Sequence, residues 1–499
     1  MTDKSPSVAG SSARFSLIIL LAVTVVSRVA AFGTPILYTD EEFYFAVGGA
    51  MANGAVPFVD VWDRKPVGLF LIYAVPGKLG LPLGIWFYQI MAFACVVSTA
   101  WLITRIAAKA GWERGSTMAG AAYALWVVFA GGQGGQSPIF YNALMALAAL
   151  YILNADGPKR RRNGLIGMSL VGLALQIKYS VVFEGIFFGL WLVHREWRQS
   201  GRLSVAAGWG TILAAAALMP TVVATMVYAG TGHLQEFVFA NFQSILTRNG
   251  DPIQEEVANI LKAGLILAPL VTVAFAGGTP KAAERTGVHG FLRGWLAVSL
   301  LAFAILPPWT FHYTLPVVLP ACTLAAGSFS RPDRKVVSFS LLLAGAIAGQ
   351  VSLAVNRSQR GTPHEFARLV DSVGRGPGCL YVYSSSSMLY PATGRCAVSR
   401  YVFPSHLTRA REAGAIGVDQ ASEIRHVFSA RPEVVVMGPP YDGERPEIRS
   451  LALELLAQSY RLEGRVKLGR KRVSTYRLRE RPSISAQAVS ANSKTPGRA

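Results

Sequence analysis

Acidic residues are scarce in this chain: 28 Asp and Glu stand against 48 Lys and Arg among 499 positions. Charged residues of both signs make up only 15% of the sequence, while 52% is hydrophobic. Ordinary soluble domains carry about a quarter charged residues, so this balance excludes them and points to a polytopic membrane protein. The net charge of +20 does not indicate a nucleic-acid partner. The basic residues fall in short clusters between apolar spans, which is how membrane topology is written. Histidine is also sparse, and its seven residues show no His-x-x-x-His spacing of a metal site. A Gly-x-x-x-x-Gly-Lys loop is absent, which leaves ATP-driven transport without support. No internal repeat is visible. Of the four cysteines, Cys95 and Cys322 lie in apolar runs as packing residues.

Residues 15–33 are long enough to cross a hydrocarbon core of about 30 Å. Val29-Ala30-Ala31 imitates a signal cleavage site, but the apolar run is long for a signal core and many spans follow. Further spans are expected at 84–107, 116–131, 139–155, 164–179, 181–194, 204–229, 258–277, 290–306, 313–329 and 336–355, about eleven in all. Basic clusters occupy alternate connections: Arg105 to Arg114, Lys159 to Arg162, Arg195 to Arg202, Lys281 to Arg293, and Arg331 to Lys335. The opposite short loops carry only Arg64, Lys65, Lys78, Lys178, Arg248 and Lys262. The asymmetry predicts a cytoplasmic tail at 1–14 and an external C-terminus. The apolar stretch 67–77 is too short to span and reads as re-entrant or interfacial. Residues 34–83 therefore form one external loop, with a short helix from Glu41 to Asn53 stopped by Asn53-Gly54.

Long apolar runs cease near residue 360. Strand-like runs at 379–384, 433–437, 460–467 and 471–478 alternate with helix-like stretches at 363–374, 419–430 and 444–459. This predicts a small extracytoplasmic α/β domain over 360–480, followed by a disordered tail at 481–499. In an oxidising compartment Cys379 and Cys396 are candidates for a disulfide. The 22 Lys and Arg against 12 Asp and Glu from residue 360 onward suit either an anionic acceptor or an anionic lipid surface.

The few carboxylates concentrate where the chain leaves its first span. Asp40, Glu41 and Glu42, then Asp63-Arg64-Lys65, are interleaved with Phe43, Tyr44, Phe45, Phe58 and Trp62. Outside the cytoplasm a sugar donor is normally carried on a polyprenyl phosphate. Transfer from it needs a carboxylate to take the acceptor's proton, cations to stabilise the departing phosphate, and an apolar groove. Asp40, Glu41 and Asp63 are the candidate catalytic carboxylates, with Glu42 read as an exposed helix residue. Lys65, Arg64, Lys178 and Arg28 are the candidate phosphate contacts, although Lys178 also suits snorkelling to headgroups. His312 and Tyr313 are candidate acceptor or phosphate contacts, or interfacial anchors. A divalent ion bridging the donor phosphate, if one is used, would fall to Asp40 and Glu41.

The order of these motifs resembles the GT-C membrane glycosyltransferases of the protein O-mannosyltransferase and lipid A aminoarabinose transferase superfamily. An acidic pair follows the first span (Asp40-Glu41), and a second acidic motif precedes a Lys-Pro pair (Asp63-Arg64-Lys65-Pro66). A Lys ends the fifth span (Lys178), and a Tyr-x-x-Pro opens a late one (Tyr313 to Pro316). The resemblance covers about residues 15–330. It implies a GT-C membrane domain over 15–358 and an inverting transfer with an acid of the first loop as base. Its implied partners are a lipid-linked sugar and a glycan, lipid or protein acceptor, at the bacterial inner membrane. Two departures stand out: Pro66 is followed by Val67 rather than a second Pro, and Gln133 to Pro138 lacks an acidic residue. The alternative class is a transporter or lipid-linked-sugar flippase, whose charges belong at midplane in broken helices rather than in one external loop.

Overall fold

The computed structural model describes residues 7–277 and 287–479. The expected tail at 481–499 and the basic residue Lys281 lie outside the described residues, as does most of the expected tail at 1–14.

Every expected span falls on a helix. Six helices among the described residues are long and apolar enough to cross a membrane, including Leu83–Lys109, Leu203–Gly230 and Ile253–Phe275. The remaining helices are shorter or carry charge, as in Ser137–Leu153 and Val182–Ser200. Leu315–Phe329 is buried along nearly its whole length, so it fills the centre of the bundle rather than facing lipid. Around it, Ile18, Val26, Leu203, Met226, Leu261, Leu265 and Leu343 present their side chains outward. An outward apolar belt of this kind is stable only in hydrocarbon, and the chain is a multi-pass membrane protein.

Between the first two long helices the chain folds back into two short ones, Thr39–Ala52 and Val67–Leu79. They pack backbone to backbone, because a Cβ on Gly48 would lie 2.5 Å from the carbonyl carbon of Tyr73. The first helix ends at Asn53 with Gly54 at φ +99°, as the Asn-Gly pair predicts. The segment 67–77 lies in the single helix Val67–Leu79 of 13 residues, too short to cross the core.

From residue 363 the chain forms a four-stranded sheet of order β1-β2-β4-β3, with β1 Leu380–Ser384, β2 Val434–Met437, β3 Tyr460–Leu468 and β4 Lys471–Leu478. β1 and β2 are parallel and the other pairs antiparallel. Helices Pro363–Val373, Gln420–Ser429 and Pro446–Ser459 pack on it. The first of these opens with a reciprocal capping box between Thr362 and Glu365, which satisfies two otherwise orphaned N–H groups. Cys379 and Cys396 form a disulfide. This part is stitched to the 34–83 loop: Trp62 is buried in its core beside Tyr401, Leu407 and Ile424, and its backbone N–H donates to the Arg400 carbonyl at 3.0 Å.

One expectation is corrected here. Glu42, read as an exposed helix residue, is fully buried and is bound by Arg360 and the Ser386 hydroxyl. A carboxylate on that face of the helix meets the end of the last long helix and the loop after β1, and a buried charge persists only when so paired.

Candidate active site

The helix Thr39–Ala52 begins at the mouth of a cavity of about 440 Å³ lying between the membrane helices and the sheet domain. Asp40, Asp63, Arg64, Lys65, Lys178, His312 and Tyr313 all line it, so residues up to 273 positions apart in sequence share one chamber. Apolar wall is supplied by Ile177, Phe183, Phe303, Leu306 and Pro307.

Asp40 projects from the first helical turn, with a side chain one-quarter exposed and the His312 Nε2 atom 3.7 Å away. Burial acts to raise its pKa, but the surrounding positive charges of Lys65 and Lys178 prevail and hold it below the ordinary value. Its carboxylate is therefore ionised at neutral pH. Burial drives His312 the other way, down to about 4, so its ring is neutral at pH 7 and contacts Asp40 as a neutral group. Lys65 donates to Asp63 at 3.0 Å and lies 5.2 Å from the Tyr44 ring centre. Burial opposes its charge, but Asp63 and Asp40 raise its pKa overall. The ammonium of Lys178 sits 4.1 Å from the ring centre of Tyr313, a cation–π seat that fixes the side chain over the cavity. The chamber thus combines an ionised carboxylate, two ammonium groups and a neutral imidazole.

The other predicted residues sit differently. Glu41 and Arg28 do not line the cavity. Both face the loop Gly131 to Gln136, where Arg28 donates to the carbonyls of Gly132 and Gly134 and Tyr73 donates to that of Gly135 at 2.6 Å. A Cβ on Gly134 would overlap the Glu41 carboxylate. Burial raises Glu41 to about 7 against the opposing effects of the Gly135 backbone and Arg28. An irregular loop inside a helix bundle has to have its carbonyls satisfied by such partners. The loop delivers Gln136 to the cavity, where its buried amide nitrogen has no protein partner. Asp40 and Glu41 therefore point to different compartments, and no group of three His, Cys, Asp or Glu suited to a metal occurs among the described residues. Arg64 lines the cavity but is engaged by Glu412, Ser244 and the Ala415 carbonyl.

Five charged or histidine side chains that line the cavity were not read from the sequence as site residues: Glu184, Arg248, His406, Arg411 and Glu412. Glu412 gathers Arg64, Arg248 and Arg411; although burial opposes it, the arginines hold its pKa down at about 2. His406 lies 3.9 Å from Asp63 and edge-on to Trp62 at 4.7 Å. In the sheet domain the only sequence signal was the short charged run Arg409 to Glu412, which is ordinary in a polar domain.

No family model matches the sequence, and no curated protein matches it. Among solved structures the fold is similar to that of ArnT from Cupriavidus metallidurans bound to undecaprenyl phosphate. That comparison has a TM-score of 0.62 at 14% identity and covers 92% of this chain and 98% of that one. The apo state of the same protein gives a TM-score of 0.62 at 14% identity, covering 93% and 98%. The oligosaccharyltransferase of Archaeoglobus fulgidus tethered to an acceptor peptide has a TM-score of 0.51 at 11% identity, covering 90% of this chain and 72% of that one. At these identities the likeness is one of fold alone, and it agrees with the fold expected from the order of the sequence motifs.

Proposed function

We propose that this chain is an inverting membrane glycosyltransferase that moves a sugar from a polyprenyl phosphate to a hydroxyl-bearing acceptor at the outer face of a bacterial inner membrane. The observation that carries the reading is Asp40, an ionised carboxylate set between Lys65, Lys178 and neutral His312 in one cavity with an apolar wall. In this reading Asp40 takes the proton of the acceptor hydroxyl as its oxygen attacks the anomeric carbon. The bond from that carbon to the phosphate oxygen breaks with its electron pair going to the phosphate. Lys65 and Lys178 offset the charge that develops there. Asp63 orients Lys65, and His312 and Tyr313 border the acceptor. Glu41 and Arg28 hold the Gly131 to Gln136 loop that presents Gln136. The ArnT structure holds undecaprenyl phosphate, a ligand of the class this cavity's charges and apolar wall suit.

The reading places residues 15–358 in the membrane with the 34–83 loop and the 360–480 domain outside, the N-terminus being cytoplasmic. The test is to reconstitute the purified chain with radiolabelled undecaprenyl-phosphate sugars and envelope extract. Appearance of free undecaprenyl phosphate together with label in a glycan, lipid or protein fraction is expected. Unchanged donor with every such sugar would contradict the proposal.

A further inference from the structure

A second cavity, of about 330 Å³, adjoins the first. It opens at the carboxyl ends of the parallel strands β1 and β2, bordered by Ser384 and Gly438, where open α/β sheets characteristically receive ligands. Phe403 and Arg411 line both cavities, and the first turn of the helix Thr39–Ala52 separates them: Thr39 faces the second and Asp40 the first. The two chambers therefore share one thin wall that carries the proposed base.

Its lining is cationic. Arg360, Arg409, Arg411 and Lys471 contribute, and neither Asp nor Glu does. Carboxylates behind the wall orient three of these cations: Glu42 holds Arg360, Asp251 and Glu255 hold Arg409, and Asp251 and Glu412 hold Arg411. Lys471 has no carboxylate partner among the described residues. Burial and then the like charge of Arg360 lower its pKa, the condition that a bound anion relieves. The Ser385 hydroxyl oxygen, at the same cavity, is shielded from water and has no protein hydrogen-bond partner. A buried hydroxyl left unsatisfied is costly, and one that borders a cationic cavity is a ready donor to an oxyanion.

We infer that this second cavity is an oxyanion subsite, built from Lys471, Arg360 and Ser385, that anchors a phosphate or carboxylate carried by the acceptor while the acceptor's hydroxyl reaches Asp40 past Phe403 and Arg411. The acceptor role rests on the transferase reading; the oxyanion site does not. It selects acceptors that bear an anionic group a few ångströms from the reacting hydroxyl.

Calorimetric titration of the full chain in detergent tests this with two soluble probes, glycerol 3-phosphate and glucuronate. At least one should bind, and the stronger of the two identifies the oxyanion as phosphate or carboxylate. Lys471→Gln on the cavity rim should weaken that binding by about tenfold, as loss of a charge-assisted contact does. Ser385→Ala should weaken it by about threefold or more, whereas Lys65→Gln in the first cavity should leave it within about twofold. Absence of binding of both probes, or binding that follows Lys65 rather than Lys471, overturns the inference. Undecaprenyl phosphate is titrated into the same variants: its binding should be weakened by Lys65→Gln and retained by Lys471→Gln. Oxyanion binding that follows Lys471, in a chain that does not bind undecaprenyl phosphate, would remove the transferase reading and leave the subsite standing.

Discussion

The fully buried Glu42 and the half-buried Arg360 form an ion pair across 318 positions of sequence. The carboxylate belongs to the first external helix, and the guanidinium to the last turn of the helix Lys335–Arg360, at the point where the chain enters its sheet domain. Arg360 also donates to the Ile36 carbonyl and to Thr39, at 2.9 and 2.8 Å, and Ser386 adds a third element to the carboxylate. The pair thus fixes the turn that carries Asp40 against the sheet domain.

Arg360→Ala should therefore destabilise the fold by about 3–5 kcal/mol, because it leaves the Glu42 charge buried and unpaired. Glu42→Gln combined with Arg360→Met should be milder than the single change. Thermal unfolding of the three proteins checks this, and a double variant at least as unstable as Arg360→Ala would show that the pair is not the source of the loss.

Stability should also depend on pH through Glu41. Its pKa is raised by burial from 4.5 to about 7, so the native state binds a proton that the unfolded chain has lost between those values. Stability accordingly falls as pH rises through that window, by an amount on the order of 3 kcal/mol for this group. Glu41→Gln should remove this group's share of the fall between pH 4.5 and 7; Glu42, whose pKa is also raised by burial, acts in the same direction, and His312, lowered to about 4, in the opposite one. Melting temperatures across that range decide it, and parallel curves for the two proteins would place the proton elsewhere.

The fold was readable wherever the signal is local. Short strand-like runs and helical patterns after residue 360 locate the four strands of the sheet and the three helices packed on it, and the Asn53-Gly54 stop marks the first external helix. The candidate site was legible only in part. Asp40, Asp63, Lys65, Lys178 and His312 are conspicuous because charge is rare among apolar spans, and the cavity gathers them. His406, Arg411 and Glu412 sit in a polar domain where charge is common, and only tertiary packing brings them to Asp63 and Arg64. Glu42 was misjudged for the same reason, since Arg360 and Ser386 lie more than 300 positions away. Glu41 and Arg28 carry the right charges, but their helix faces turn them toward the Gly131 to Gln136 loop.

Lys178→Ala should raise the dissociation constant for a polyprenyl phosphate by about tenfold, as expected for losing one charge-assisted contact. Protein abundance in the membrane should stay the same. A snorkelling lysine would give an unchanged donor affinity, so the binding isotherm separates the two roles.

Replacement of Glu412 by Gln should loosen Arg64, Arg248 and Arg411 together, because one carboxylate holds all three. Proteolysis at the junction of loop and sheet domain should quicken by about tenfold, consistent with the loss of a buried charged partner. Cleavage at the wild-type rate would show that Glu412 is not what holds the junction together.

The most direct test of the central claim is turnover by Asp40→Asn with a labelled polyprenyl-phosphate sugar. The substitution keeps size and polarity but removes the base. Turnover should fall by about a hundredfold to ten-thousandfold, with unaltered membrane insertion, melting temperature and donor binding. Turnover within about twofold of wild type would contradict the account and remove Asp40 from the chemistry.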